Sequence, residues 1–234
     1  MAPQRVLITG GGRGIGRATA LRFAREGAHI VVAARTSGEL DDVVAEIEAA
    51  GGKGLAAQMN VTDLGSVEAA VWRAMEFSGG PLDVVVNNAG AFDVIPFEKM
   101  SHKVWSKMID VNLTGAYYVT QESLGALEEG ERSIVINVAS GAARQGFPGN
   151  TAYCASKYGL KGFGDALRID LAEKGIRVVT VYPRGTDTTI FDGVEGDWDR
   201  SKMNTVEEVA EVIFSAVGAG DEVTDLDVPP PTGS

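Results

Sequence analysis

The sequence predicts an α/β protein in which about seven parallel β-strands form one doubly wound sheet with helices on both faces. Two features of the chain lead to this fold class. Short, continuously apolar runs alternate with longer segments of helical character along almost the whole sequence, and this alternation is typical of a parallel sheet buried on both sides. The first apolar run, residues 6–8, also passes through a glycine-rich turn directly into a helix-like segment, which predicts a Rossmann-type arrangement.

Each element is expected from this alternation in chain order. The expected strands are residues 6–8, 30–33, 55–59, 82–86, 134–138, 178–182 and 223–228. The expected helices are residues 17–27, 36–50, 64–77, 101–127, 151–173 and 206–217. Thr36 with Glu39, and Thr205 with Glu208, have the spacing of a capping box, so we expect two of these helices to begin there.

The chain is long enough to bury one large core. It has 234 residues, of which 44% are apolar, and no Pro/Ser-rich linker divides it. We therefore expect a single domain over residues 1–228. The proline-rich tail over residues 229–234 is expected to be partly disordered.

Composition argues against several kinds of partner. A net charge of −11 and a pI near 4.7 would repel nucleic-acid phosphates and anionic membrane surfaces. Cys154 is the single cysteine, and the sequence has no apolar run of eighteen residues. We expect a cytoplasmic protein that binds neither nucleic acid nor membranes. Two isolated histidines and one cysteine are little material for a metal site, so no metal is expected.

The glycine turn predicts a dinucleotide site. Gly10 permits a sharp turn, Gly14 lets a phosphate approach bare backbone, and Gly16 lets the helix pack closely on the strand. Amides at the start of the helix would then face an anion. The alternative is a flexible loop, because 30 residues of this chain are glycine.

Two arginines favour NADPH over NADH. Arg35 follows the second strand, near where a dinucleotide fold places the group that contacts the adenosine ribose, and no acidic residue follows that strand before Glu39. A guanidinium favours a 2′-phosphate, and Arg13 in the glycine turn would be a second clamp. The alternative is two solvated surface arginines.

Tyr153 and Lys157 are candidates for acid-base chemistry. They lie four residues apart on one face of an expected helix, and Ser140 ends the preceding strand. Lowering the pKa of a phenol from about 10 to about 7 requires roughly 4 kcal/mol of preference for phenolate. A neighbouring ammonium group can supply much of this preference. The alternative is a core tyrosine and a surface lysine.

These motifs together resemble the short-chain dehydrogenase/reductase superfamily. The matching segments are, in order, residues 9–16 (TGGGRGIG), residues 87–90 (NNAG), Asn112, Ser140 and residues 153–157 (YCASK). The resemblance covers nearly the whole chain and weakens after Pro183. It implies an oxidoreductase that uses NADP(H) and acts on a small carbonyl or alcohol substrate.

The resemblance also implies roles for single residues. Tyr153 would donate a proton to the carbonyl oxygen, and Ser140 would orient and polarise that oxygen. Lys157 would bind the nicotinamide ribose and lower the pKa of Tyr153. Asn112 would hold a water that connects Lys157 to solvent. The cofactor-binding residues would be Gly10, Arg13, Gly14, Ile15, Gly16, Arg35, Asn60, Val61, Asn88, Ala89, Gly90, Tyr153, Lys157, Pro183 and Thr188.

The chain departs from the family pattern in two of these places. Asn60 stands where the family commonly has an aspartate that meets the adenine amino group, and its amide oxygen could still accept that bond. Arg184 follows Pro183 where the family usually has glycine, which puts the expected backbone freedom and carboxamide contacts in doubt. Thr188 still stands where a family threonine meets the nicotinamide amide.

The segment between residues 189 and 204 usually closes over the substrate in this family. Here it combines the apolar residues Phe191, Val194 and Trp198 with the acidic residues Asp192, Glu195, Asp197 and Asp199. Its acidity would either disfavour acidic substrates or be that of a solvated loop, and we favour the solvated loop. The family also suggests a homodimer or homotetramer built on the two long helices, with an apolar stripe of Ala126, Phe163, Ala166, Leu167 and Leu171. The alternative is ordinary core packing, which predicts the same spacing.

The leading hypothesis is an NADPH-dependent reductase of a ketone or a 3-oxoacyl thioester. One alternative is a sugar, polyol or hydroxy-amino-acid dehydrogenase with the same catalytic residues. Another is a binding protein that senses NADP(H) without turnover.

Overall fold

The computed structural model describes residues 4–194, 196 and 198–231, which form an α/β structure around one parallel sheet. The strands are β1 (Arg5–Thr9), β2 (His29–Ala34), β3 (Lys53–Gln58), β4 (Val84–Asn87), β5 (Ile134–Val138), β6 (Arg177–Tyr182) and β7 (Asp225–Asp227). The helices are α1 (Gly14–Ala24), α2 (Ser37–Ala49), α3 (Leu64–Ser78), α4 (His102–Ile109), α5 (Gly115–Glu128), α6 (Thr151–Leu171) and α7 (Val206–Gly218).

The seven strands are all parallel and lie in the order β3-β2-β1-β4-β5-β6-β7. The order reverses between β1 and β4, which creates the crevice where ligands of such sheets bind. The predicted fold class is therefore confirmed. Glu195, Asp197 and residues 232–234 of the predicted lid and tail lie outside the described residues.

Two apolar cores cover the two faces of the sheet. Along β1, Val6 and Ile8 point into the core formed with α1, α2 and α7, whereas Leu7 points into the core formed with α3, α5 and α6. This alternation follows from the two-residue period of a strand. Because both faces are buried, the strands read as continuously apolar in the sequence.

The helix predicted over residues 101–127 is interrupted. A π-helical turn, Asp110–Thr114, separates α4 from α5. It places Asn112 in the interior, where the residue is 1% exposed. Such turns are frequently found at functional sites, and the apolar period of the sequence did not reveal this one.

One of the two predicted capping boxes is correct. The Thr205 side chain accepts from the Glu208 amide, and the Glu208 carboxylate accepts from the Thr205 amide. At α2 the prediction was wrong, because the Thr36 side chain makes no capping hydrogen bond. Glu39 instead lies beside the glycine turn, with Oε2 3.2 Å from where a Cβ on Gly12 would stand.

The structure also corrects the proposed apolar stripe on the long helices. Ala126, Leu167 and Leu171 pack in the core beneath the sheet rather than on the surface. Of the other two predicted residues, Ala166 is exposed and Phe163 is half-buried. The large exposed apolar side chains of α5 and α6 are Tyr117, Tyr158 and Ile169. Core packing and surface stripes share the same helical spacing, so the sequence could not separate them.

Candidate active site

A cavity of about 1670 Å³ opens at the carboxyl ends of the strands. It brings together most of the predicted site residues, which come from seven separate loops and helix ends. Those that line it are Gly10, Arg13, Gly14, Ile15, Arg35, Asn60, Val61, Asn88, Ala89, Gly90, Ser140, Tyr153, Lys157, Pro183 and Thr188. The two other predicted site residues, Gly16 and Asn112, do not line the cavity.

The glycine turn has the geometry of a phosphate cradle. Gly10 and Gly14 have φ angles of 65° and 55°, which side chains other than glycine rarely adopt. A Cβ on Gly16 would stand 2.2 Å from the Gly10 carbonyl oxygen, so the helix could not approach the turn with any larger residue. The first turn of α1 has no side-chain cap and no acidic residue. Its amides are therefore free to bind an anion.

Thr9 and Asn88 join this turn to the loop after β4. The Thr9 hydroxyl accepts from the amides of Asn88 and Ala89, both at 2.9 Å, and donates to the Val86 carbonyl. Asn88 Nδ2 donates to the carbonyls of Thr9 and Gly10 at 2.8 and 3.2 Å. Asn88 thus positions the turn through its side chain. Sequence reasoning missed Thr9, although a hydroxyl at the end of a buried strand must find partners.

Arg13 and Arg35 line the cavity at the glycine turn and at the end of β2. Both side chains are exposed, and within the described part of the chain neither is paired with a carboxylate. Their charges are thus free for a ligand. Glu39 also lines this part of the cavity, near Gly12, and is the nearby negative charge.

The side-chain oxygen of Asn60, which was expected to accept from an adenine amino group, is already hydrogen-bonded within its own loop. Its Oδ1 accepts from the backbone amide and the hydroxyl of Thr62, at 3.3 and 3.0 Å. Both lone pairs of that oxygen are therefore occupied. Accepting a bond from an adenine amino group would require the amide group to turn.

Ser140, Tyr153 and Lys157 meet at the floor of the cavity. Burial raises the pKa of Tyr153 to about 12, and hydrogen bonding with Ser140 opposes this shift. Lys157 is 5% exposed. Its Nζ donates to the Val138 carbonyl at 2.9 Å and lies 5.8 Å from the centroid of the Tyr153 ring. Burial lowers the pKa of Lys157 to about 8.

Asn112 joins α6 to the loop after β4, without itself lining the cavity. Its Oδ1 accepts from the Ala91 amide at 2.7 Å, and its Nδ2 donates to the Ala91 carbonyl and to the Ser156 hydroxyl. Ser156 in turn donates to the Tyr153 carbonyl at 2.7 Å. A water held by Asn112 would donate a hydrogen bond either to the second lone pair of Oδ1 or to the main-chain carbonyl of Asn112. Sequence reasoning gave no role to Ser156, although it shares a helix face with Tyr153.

The loop after β6 borders the remaining side of the cavity. The Pro183 carbonyl accepts from the Gly141 amide at 2.9 Å, which joins this loop to the one that carries Ser140. Among the described residues, none other than glycine has a positive φ, so Arg184 fits its position without strain. Thr188 lies across from the glycine turn, with Cγ2 3.4 Å from where a Cβ on Gly14 would stand.

Two described carboxylates of the segment after Thr188, and Asp187 just before it, are paired with basic residues of the same segment. Arg200 pairs with Asp187 at 3.0 Å and with Asp192 at 2.6 Å, and Lys202 pairs with Asp199 at 2.8 Å. Its aromatic residues Phe191 and Trp198 pack on Phe92, which contacts Tyr153. These three carboxylates therefore do not support the interpretation that the acidity of the segment governs substrate choice.

The described residues offer no grouping of three or more His, Cys, Asp or Glu side chains that could hold a metal ion. Over the same described ranges, we find no helix with the length and apolarity needed to span a bilayer.

Comparison with known proteins agrees with this geometry. The short chain dehydrogenase family model matches residues 4–197. A 3beta-hydroxysteroid dehydrogenase of Mediterraneibacter gnavus is 37% identical over 193 residues, which are 82% of this chain and 69% of the relative. A 3-oxoacyl-[acyl-carrier-protein] reductase of a Synechocystis species is 37% identical over 199 residues, 84% of this chain and 80% of the relative.

A solved structure extends the similarity to the fold. A metagenomic short-chain oxidoreductase in complex with NADP has a TM-score of 0.83 and 28% identity, with 99% of this chain and 98% of that chain covered. The chain therefore belongs to the short-chain dehydrogenase/reductase superfamily and is an oxidoreductase of the kind that uses NAD or NADP.

Proposed function

We propose that this protein is an NADPH-dependent reductase that converts a ketone or a 3-oxoacyl group to a secondary alcohol. The observation that carries the proposal is the meeting of Ser140, Tyr153 and Lys157 at the floor of the cavity. The relatives include a 3-oxoacyl reductase and a steroid dehydrogenase. Both names describe interconversion of a carbonyl and an alcohol.

The residues of the cavity fit a nicotinamide dinucleotide. The cradle formed by Gly10, Gly14 and the free amides of α1 suits a pyrophosphate. Arg13 and Arg35 would bind the 2′-phosphate that distinguishes NADPH from NADH. When bound, NADPH supplies the hydride for the reduction.

The three catalytic residues supply the proton and the polarising contacts. Because its pKa is about 12, Tyr153 keeps its proton at neutral pH, which is the form a general acid requires. It gives this proton to the substrate oxygen while the Ser140 hydroxyl donates a second hydrogen bond to the same oxygen. The Lys157 ammonium group then stabilises the phenolate that remains. The water relay that we propose through Asn112 would return the proton.

The test is NADPH consumption over a panel of ketones, aldehydes, quinones and a 3-oxoacyl thioester, with wild type and Tyr153→Phe. Loss of the phenol should lower kcat by at least roughly 100-fold, because a positioned proton donor contributes that much. NADPH binding, followed by its fluorescence, should be unchanged in the variant. Equal turnover in both proteins would contradict the role of Tyr153. No turnover in either, with cofactor bound, would contradict the reductase proposal and favour a sensor.

We also propose that the protein acts in the cytoplasm as a homodimer or homotetramer. Tyr117, Tyr158 and Ile169 on α5 and α6 are 46%, 46% and 78% exposed, so they leave apolar surface on these two helices in contact with water. Burial of these residues against a second copy would remove them from water. Sedimentation at micromolar concentration tests the assembly, and a monomer would contradict it.

A further inference from the structure

Three aromatic side chains stand beside the catalytic tyrosine. The Phe92 ring lies 4.9 Å from the Tyr153 ring, 5.3 Å from the Phe191 ring and 5.8 Å from the Trp198 ring, measured between centroids. The Phe191 and Trp198 rings are 4.7 Å apart. We refer to Phe92, Phe191 and Trp198 as the aromatic wall. Phe92 is its centre, because it contacts both the other two rings and Tyr153.

The aromatic wall is not part of the protein core. All three side chains are only half-buried, and all three line the cavity. None belongs to the apolar clusters that pack the described part of the chain. Their uncovered surface therefore borders the cavity, and Phe92 does so beside the Tyr153 ring.

Four carboxylates near the wall, among the residues that the structure describes, are paired or hydrogen-bonded within the protein. The carboxylates of Asp187 and Asp192 are paired with Arg200, and Asp199 is paired with Lys202. Asp93, the neighbour of Phe92, uses Oδ1 to accept from the Val94 amide. An apolar group at the wall thus gains contacts without leaving any of these carboxylates unpaired, whereas a charged group would lose its hydration.

The ring angles favour a flat, rigid partner. Phe92 is inclined by 84° to Tyr153, 72° to Phe191 and 70° to Trp198, which is the edge-to-face arrangement that aromatic groups prefer. A substrate ring that packs in the cavity against the uncovered side of the wall can take the same edge-to-face arrangement. It also loses less conformational entropy on binding than an open chain of equal size.

We propose that the aromatic wall makes this enzyme selective for uncharged cyclic substrates, whose carbonyl or hydroxyl carbon lies in or next to an alicyclic or aromatic ring. Phe92 is the residue that determines this selectivity. The inference rests on the proposed reductase function and adds the substrate class. It separates cyclic ketones from open-chain ketones with the same number of carbon atoms.

The experiment compares kcat/KM for cyclohexanone and 2-hexanone with NADPH. Wild type should prefer cyclohexanone by about tenfold or more, since each aromatic contact contributes roughly twofold to tenfold. Phe92→Ala should reduce this preference to less than about threefold, mainly by raising KM for cyclohexanone. Phe92→Leu, which keeps more of the side-chain volume, should give an intermediate ratio and guards against misfolding of the alanine variant.

Phe97→Ala is the matched control. Phe97 is 73% exposed and is not part of the cavity lining, so its loss should leave the ratio unchanged. A wild-type ratio below threefold, or an equal ratio in wild type and Phe92→Ala, would overturn the inference while leaving the reductase function intact.

Absence of turnover with every carbonyl would instead refute the proposed function. The wall is then tested by the dissociation constants of the two ketones for the NADPH-loaded protein. Tighter binding of cyclohexanone that Phe92→Ala abolishes would support the selectivity. Equal binding would overturn it.

Discussion

The ammonium group of Lys157 donates a 2.9 Å hydrogen bond to the main-chain carbonyl of Val138. Val138 is the last residue of β5 and Lys157 lies in the second turn of α6, so this bond ties α6 to the carboxyl end of an interior strand. The lysine is 5% exposed, and burial lowers its pKa from 10.5 to about 8. Its charge is therefore maintained at a cost to the stability of the fold.

This cost should appear in the pH dependence of unfolding. Below pH 8 the lysine is charged in both states, and between its folded pKa of about 8 and its unfolded value of 10.5 only the unfolded state keeps the proton. Stability contributed by this group therefore rises with pH across that window. From pH 8 to 10, wild type should gain roughly 2 kcal/mol relative to Lys157→Met, measured by urea unfolding without cofactor.

The comparison stops at pH 10 because Tyr153 acts in the opposite direction above that value. Its pKa rises from 10.0 to about 12 in the fold. Above pH 10 the phenol therefore ionises in the unfolded state first, which lowers the free energy of unfolding. Parallel pH profiles of wild type and Lys157→Met would contradict the prediction.

Ser140 should influence the rate through the acidity of Tyr153. Hydrogen bonding with Ser140 lowers the pKa of the phenol against the effect of burial, so Ser140→Ala should raise it. In the direction of alcohol oxidation, which needs phenolate, kcat at pH 8 should fall at least about tenfold. The apparent pKa of the rate profile should move upward.

Ser215→Ala is a suitable control, because that hydroxyl is exposed on α7 and donates to the Val212 carbonyl. A fall in kcat with no change in the pH profile would assign Ser140 to substrate orientation alone.

Cofactor choice should depend on Arg35. A hydrogen bond to a charged group contributes about 1.5–3 kcal/mol, so Arg35→Ala should weaken NADPH binding by roughly 10- to 100-fold and leave NADH binding nearly unchanged. Isothermal titration with both cofactors measures the difference. Arg25→Ala, an exposed arginine at the other end of α1, should affect neither. Equal weakening of NADPH and NADH binding by Arg35→Ala would contradict the proposal that Arg35 binds the 2′-phosphate.

Gly16 should tolerate no side chain. A Cβ there would stand 2.2 Å from the Gly10 carbonyl oxygen and 2.6 Å from Asn88 Nδ2, so Gly16→Ala should destabilise the protein by roughly 1–3 kcal/mol and abolish cofactor binding. Gly38→Ala is the contrasting change, since nothing lies within 4 Å of its Cβ position in α2. It should stabilise the protein by up to about 1 kcal/mol in thermal unfolding. A stable, cofactor-binding Gly16→Ala protein would contradict this reading of the turn.

Local patterns in the sequence were sufficient for most of the fold and for much of the site. The glycine turn and the Tyr153–Lys157 spacing are set by short-range geometry, so both could be predicted without knowing any distant contact. The capping box at Thr36 failed because Glu39 lies against the glycine turn instead of folding back on its own helix. That outcome depends on tertiary packing.

The features that sequence reasoning missed depend on residues far apart in the chain. Phe92 and Trp198 meet across more than 100 positions, and no periodicity links them. The bonds from Asn112 to Ala91 and Ser156 likewise depend on a π-helical turn, which inserts one residue into an otherwise regular apolar pattern.

The shared acceptor at Thr9 has a consequence for the motion of the molecule. Because one hydroxyl holds the amides of Asn88 and Ala89, the loop after β4 cannot separate from the end of β1 without releasing both amides together. Exchange of these two amide protons with deuterated solvent should therefore be slow and concerted even in the cofactor-free protein. Thr9→Val should remove this acceptor from both amides at once, which leaves the Asn88 Nδ2 bonds to the Thr9 and Gly10 carbonyls to hold the two sides of the crevice together.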